Sequence, residues 1–115
     1  MPTRKPAAPK HLSASSRRIW RKIADDFDLY GEDAAMVTLT LAMEARDRCE
    51  QARELIANEG MTVPTGAGGL KPHPAVGIER DARLACIRCL RELSLDSGDG
   101  YEGSRPPRIG SGALT

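Results

Sequence analysis

Apolar positions between residues 33 and 59 repeat at steps of three and four. Ala35, Leu39, Ala42, Cys49, Ala52 and Ile56 fall on one side of a 3.6-residue helix, and Met36, Met43 and Leu55 widen that stripe. Arg46, Asp47, Glu50 and Glu54 take the opposite side, with Arg46 and Glu50 an i,i+4 pair of opposite charge. Asp33 reads as the N-cap and Gly60 as the stop. The pattern predicts one amphipathic helix roughly 40 Å long. So little chain remains to cover such a rod that something must lie against it.

A second helical pattern precedes it. Ile19, Ile23 and Phe27 stand four apart, Trp20 and Ala24 extend their face, and Ser13 suits the N-cap with Leu12 as a hydrophobic staple. This helix is expected to reach about Leu29, fraying among Asp25, Asp26 and Asp28, where the macrodipole disfavours acids, and turning at Gly31. Beyond Gly60 the texture changes. Met61-Thr62-Val63 and Leu70-Lys71 are short β-prone runs on either side of a glycine-containing turn. Lys71-Pro72-His73-Pro74 is forced into extended backbone, with His73 placed to cap a last helix and Pro74 at its first position. That helix should run to Leu93 or Leu95 on a stripe of Ala75, Ile78, Ala82, Cys86, Cys89, Leu90 and Leu93. Leu84 and Ile87 fall off the stripe and leave a second apolar side.

The expected fold is therefore all-α: a three-helix protomer, a helical hairpin plus a third helix, with a small β-hairpin-like loop. Three regions follow: a flexible basic arm over residues 1–11, a helical domain over 12–95, and a flexible tail over 96–115, rich in Gly, Ser, Pro and charge. A core of about 80 residues supplies only a few kcal/mol unless reinforced, and with 3% aromatic residues large core-filling side chains are scarce. Three cysteines, an odd count with no secretory signal before them, make disulfides a poor remedy. Oligomerisation is the remaining route, with Leu39, Met43, Ile56, Leu84 and Ile87 as the candidate contacts between copies.

Chemistry is sparse. Cys86-x-x-Cys89 has a metal-like spacing, but tetrahedral zinc wants four ligands and the pair sits within an amphipathic helix, so it reads as packing and no metal is expected. The glycines of residues 66–69 lack a following Lys-Ser/Thr, which argues against a nucleotide site. Acid pairs lie on solvated faces without a nearby nucleophile or His. No catalytic set or cofactor is implied, and the chain does not read as an enzyme. Net charge is +1, yet no acid occurs before Asp25, while Arg4, Lys5, Lys10, Arg17, Arg18, Arg21 and Lys22 do. Lys10, Arg17, Arg18, Arg21 and Lys22 are the candidate DNA-binding residues, acting chiefly on phosphates.

With these residues in view, the chain resembles one group of phage terminase small subunits. His11-Leu12-Ser13 and Arg17-Arg18-Ile19-Trp20-Arg21-Lys22-Ile23 match an opening of the form P-x-H-L-S…A-x-x-I-W-x-x-I. Glu54-Leu55-Ile56-Ala57-Asn58-Glu59-Gly60, Met61-Thr62-Val63, Leu70-Lys71-Pro72-His73-Pro74-Ala75 and Glu79-Arg80-Asp81-Ala82-Arg83 follow in the family's order. The likeness covers roughly residues 9–95 and departs at His73, usually Asn, and at Ala75, usually a larger apolar residue. It implies a non-catalytic packaging factor of the bacterial host cytoplasm, phage or prophage encoded, that forms rings of about eight to eleven copies. Its partners would be double-stranded viral DNA and the large terminase subunit, which carries the ATPase and nuclease. Two other classes fit the residues: a small dimeric transcriptional regulator reading DNA with Arg80, Arg83, Arg88 and Arg91, and a structural adaptor.

Overall fold

The computed structural model describes residues 5–95. In chain order it contains α1 (Ala14–Asp26), α2 (Asp33–Glu59), β1 (Thr62–Pro64), β2 (Leu70–Pro72) and α3 (Pro74–Glu92). The expected all-α, three-helix protomer with its small β excursion is the observed one. The expected tail over 96–115 lies outside the described residues.

Local signals explain most boundaries. Ser13 caps α1, its hydroxyl accepting from the Ser16 N–H at 3.1 Å. The C-terminus of α1 differs from expectation: the helix stops at Asp26, and the reversal falls on Asp28, not Gly31. Asp28 adopts φ 52°, the Leu29 N–H donates to the Ala24 carbonyl at 3.0 Å, and that of Asp28 to Asp25 at 3.4 Å. This is a Schellman closure, and its apolar pair, Ala24 and Leu29, is buried. A left-handed residue is cheap for Asp, so the closure outcompetes another helical turn. The N-cap of α2 is Glu32 and makes no side-chain cap bond; Asp33 is the first helical residue. Gly60 does end α2, at φ 87°.

The strands form an antiparallel pair in the register Thr62↔Pro72, Val63↔Lys71 and Pro64↔Leu70. Gly68, at φ 92°, supplies the positive φ of their turn, and the Gly69 N–H donates to the Thr65 hydroxyl at 3.1 Å. The hairpin ends by handing the chain to α3, with the His73 N–H donating to the Met61 carbonyl at 2.8 Å. His73 then caps α3: its Nδ1 accepts from the Ala75 N–H at 2.9 Å. Its Nε2 therefore carries the proton and donates to Glu59 at 2.7 Å, tying the last turn of α2 to the first of α3.

α3 runs back along α2, with Arg53 bonded to Glu79 at 3.1 Å between the two. The main core gathers Leu12, Trp20, Ala24, Leu29, Leu39, Ala42 and Met43, with Cys89, Leu90 and Leu93 packed against it. The helical hairpin of the chain is thus α2 with α3 at least as much as α1 with α2. Residues 5–11, expected from sequence to be a flexible arm, lie against this body. Ala8 is buried, His11 Nε2 is 2.7 Å from Glu44, and Lys5 reaches Asp25 at 3.3 Å. Among the described residues no helix is long and apolar enough to cross a membrane.

Candidate nucleic-acid interface

The first helix presents the basic cluster, and how it is fixed decides which cations are available. Ser16, Trp20 and Ala24 form its buried face. Trp20 is 3% exposed, its indole N–H donates to the Thr40 hydroxyl at 3.1 Å, and its ring meets Tyr30 edge-on at 6.3 Å. The N-terminus of α1 is held by a polar clamp. Asp47 accepts from the Ser13 N–H and hydroxyl, both at 2.7 Å, and from the Ser16 hydroxyl at 2.6 Å. The Arg46 guanidinium donates to Ser15 at 2.7 Å and to Ser16 at 3.0 Å. Ser16 is fully buried and fully satisfied. Burial alone would push the Asp47 carboxyl up; the bonds from Ser16 and Ser13, helped by Arg46, outweigh it and hold the group below the usual carboxylate range.

Sequence periodicity assigned Arg46 and Asp47 to the solvated side of α2. The structure instead uses that side as the seat of α1. The pairing joins residues about thirty apart, so only the cluster of Ser13, Ser15 and Ser16 hints at an acceptor somewhere.

The five expected DNA contacts separate into classes. Arg17 is half-buried and donates to the backbone carbonyls of Leu12 at 2.5 Å and Lys10 at 3.3 Å, clamping the turn that enters α1. Lys22 is exposed but pairs with Asp26 at 2.9 Å, which raises its pKa through that hydrogen bond and the charge behind it. Lys10, Arg18 and Arg21 are exposed and form no ion pair among the described residues. At 100° per residue Arg18, Arg21 and Lys22 share the flank of α1 facing away from Trp20. Asp25 lies on the same flank. It is engaged by the Tyr30 hydroxyl at 2.8 Å and by Lys5, in that order of effect, both lowering its pKa.

The residues expected at subunit contacts also divide. Leu39 and Met43 lie in the core of the protomer itself, 0% and 1% exposed, because α1 and α3 both close over that part of α2. They present no surface to another copy. Ile56 is half-buried, and Leu84 and Ile87 are 45% and 44% exposed. On α3, Arg83 bonds Glu79 at 3.2 Å and Arg80 lies 3.4 Å from Asp81, so two of the four arginines available to a recognition helix face carboxylates. Glu79, bonded first by Arg83 and then by Arg53, is held below the ordinary carboxyl range. Cys49 and Cys86 both have thiols pushed up by burial, the opposite of what a reactive or ligating cysteine needs.

Against this background a family model described as the small subunit of phage terminase matches residues 16–99. That span is most of the chain. The protein belongs to the phage terminase small-subunit family. No curated protein and no solved structure matches it. The match takes in Arg17, Arg18, Arg21 and Lys22, all of α1 but its first two residues, and the whole of α2 and α3, leaving Lys10 and the lead-in outside. A terminase small subunit serves phage DNA packaging, in a family that is generally regulatory and not catalytic. That role accords with a helical body and a cationic flank held rigidly in place.

Proposed function

We propose that this terminase small subunit binds duplex viral DNA through phosphate contacts from Arg18 and Arg21, with Lys22 and Lys10 beside them and Arg17 buttressing the turn. One observation carries the reading: the exposed flank of α1 holds Arg18 and Arg21, neither in a direct ion pair among the described residues although the Asp25 charge lies near Arg21, on a helix locked to the body by Trp20 and the Asp47 clamp. A locked helix holds its charges in a constant arrangement, so several copies can act on one polyanion together. The copies assemble as a ring of about eight to eleven. Of the expected contact residues, Ile56 and Leu84, with Ile87 at the border, keep surface to hold it. In the host cytoplasm the ring recruits the large subunit and regulates its ATPase and nuclease, the residues after Asp96 serving as the tether.

The test is fluorescence-anisotropy titration of duplex DNA across a salt series. Replacing Arg18 and Arg21 by Ala should reduce the slope of log K against log salt by about 2 for each engaged copy. An unchanged slope would move the contact elsewhere. Light scattering on the same preparation tests the ring, and a monomer at micromolar concentration would sink it.

A further inference from the structure

A groove of about 300 Å³ runs between the three helices. Its floor is Ile19 and Ile23 of α1, Met43 of α2, and Cys86, Ile87 and Leu90 of α3. Arg46, Arg53 and Arg83 stand on its rim: Arg46 bonds Ser15 and Ser16, Glu50 pairs with Arg53 at 3.3 Å, and Glu79 just outside is bonded to Arg53 and Arg83, which leaves three guanidinium groups against two carboxylates. An apolar trough edged by guanidinium groups suits an aromatic or aliphatic side chain flanked by acids.

We propose that the chain's own segment 96–103 is the occupant, with Tyr101 in the trough and Asp99 and Glu102 against the arginines. Three observations point to it. This stretch, Asp96-Ser97-Gly98-Asp99-Gly100-Tyr101-Glu102-Gly103, holds three acids, one aromatic and no base. α3 forms one wall of the groove and ends beside it. The chain leaves through Ser94 at φ 54°, a left-handed residue that bends it off the helix axis, and Leu95 is half-buried, not projecting. The reach is also right. Cys86 lies about 13 Å back along α3 from Leu95, and the six residues to Tyr101 span up to roughly 20 Å. Seated there, the segment covers Ile87 and withholds itself from any other protein, so its release couples the groove to the tether role.

Two measurements on the full chain test this. Maleimide labelling of Cys86, read by peptide mass spectrometry, should speed up severalfold in Tyr101→Ala while Cys89 stays unchanged. Asp99→Asn with Glu102→Gln, or added salt in the wild type, should give a smaller increase. A Cys86 rate indifferent to Tyr101→Ala overturns the proposal. Mild oxidation of Tyr101→Cys should form a disulfide between positions 86 and 101 within one chain. In a mixture of isotopically light and heavy copies, links found only between chains, or none at all, would equally overturn it.

Discussion

The seam between α2 and α3 and the seam between α1 and α2 rest on different chemistry. The buried residues of the far half of α2 and of α3 are Cys49, Ala52, Ala75 and Ala82, small side chains that let two antiparallel backbones lie close. The ion pair of Arg53 with Glu79 fastens the outside, and Arg83, one turn along α3, bonds the same carboxylate. α1, by contrast, hangs on one large aromatic and on Asp47, which accepts three bonds from its first turn. The first seam depends on volume and the second on a ring and a charge. The difference matters because the second seam carries the cationic flank: the helix proposed to meet DNA is the one whose attachment is polar at one end.

The sharpest way to break this contrast is Trp20→Ala. Deleting the ring should cost about 3–5 kcal/mol, read as a shift of the urea midpoint by circular dichroism, and comparable to the whole stability of a small domain. A loss below about 1 kcal/mol would mean that the ring does not anchor α1. Next comes Ala82→Leu. Overfilling the close seam should cost about 1–3 kcal/mol, whereas the same substitution at exposed Ala14 should be near neutral. Equal effects at the two sites would show that the α2–α3 seam is looser than its small residues suggest.

Asp47→Asn is the subtler probe. One of the two carboxylate oxygens and the charge are lost, so about 1–2 kcal/mol should go at neutral pH. The pH dependence gives the sign. The folded-state pKa of Asp47 lies below its ordinary 3.8, so its contribution is complete above that value and disappears as pH falls through the folded value. Wild type should therefore lose stability on acidification below about pH 4 more steeply than the variant. Parallel curves would reject the clamp. Asp25 and Glu79 shift in the same direction and add slope common to both proteins.

Much of this was legible in the residues themselves. Helix periodicity, the Ser13 cap, the Gly60 stop and the His73-Pro74 start are local signals, and each landed within a residue or two. His73 even satisfies the cap that its family usually fills with Asn, because imidazole Nδ1 accepts from the Ala75 N–H while Nε2 adds the link to Glu59. The turn after α1 falls at Asp28 and not at the expected Gly31, because a Schellman closure depends on burying Leu29 against Ala24, a packing event and not a propensity.

Helix starts, the stop at Gly60, the acid-free basic run and the family are all legible in short stretches of residues. The end of α1 and the partner of each helix face come from packing in the tertiary structure. It turned Asp47 and Arg46 from surface charges into the seat of α1, drew Arg17 into a backbone clamp, and enclosed Leu39 and Met43 within one protomer. Periodicity tells which side of a helix is polar or apolar; which neighbour covers that side depends on contacts some thirty residues apart, and no local pattern encodes them.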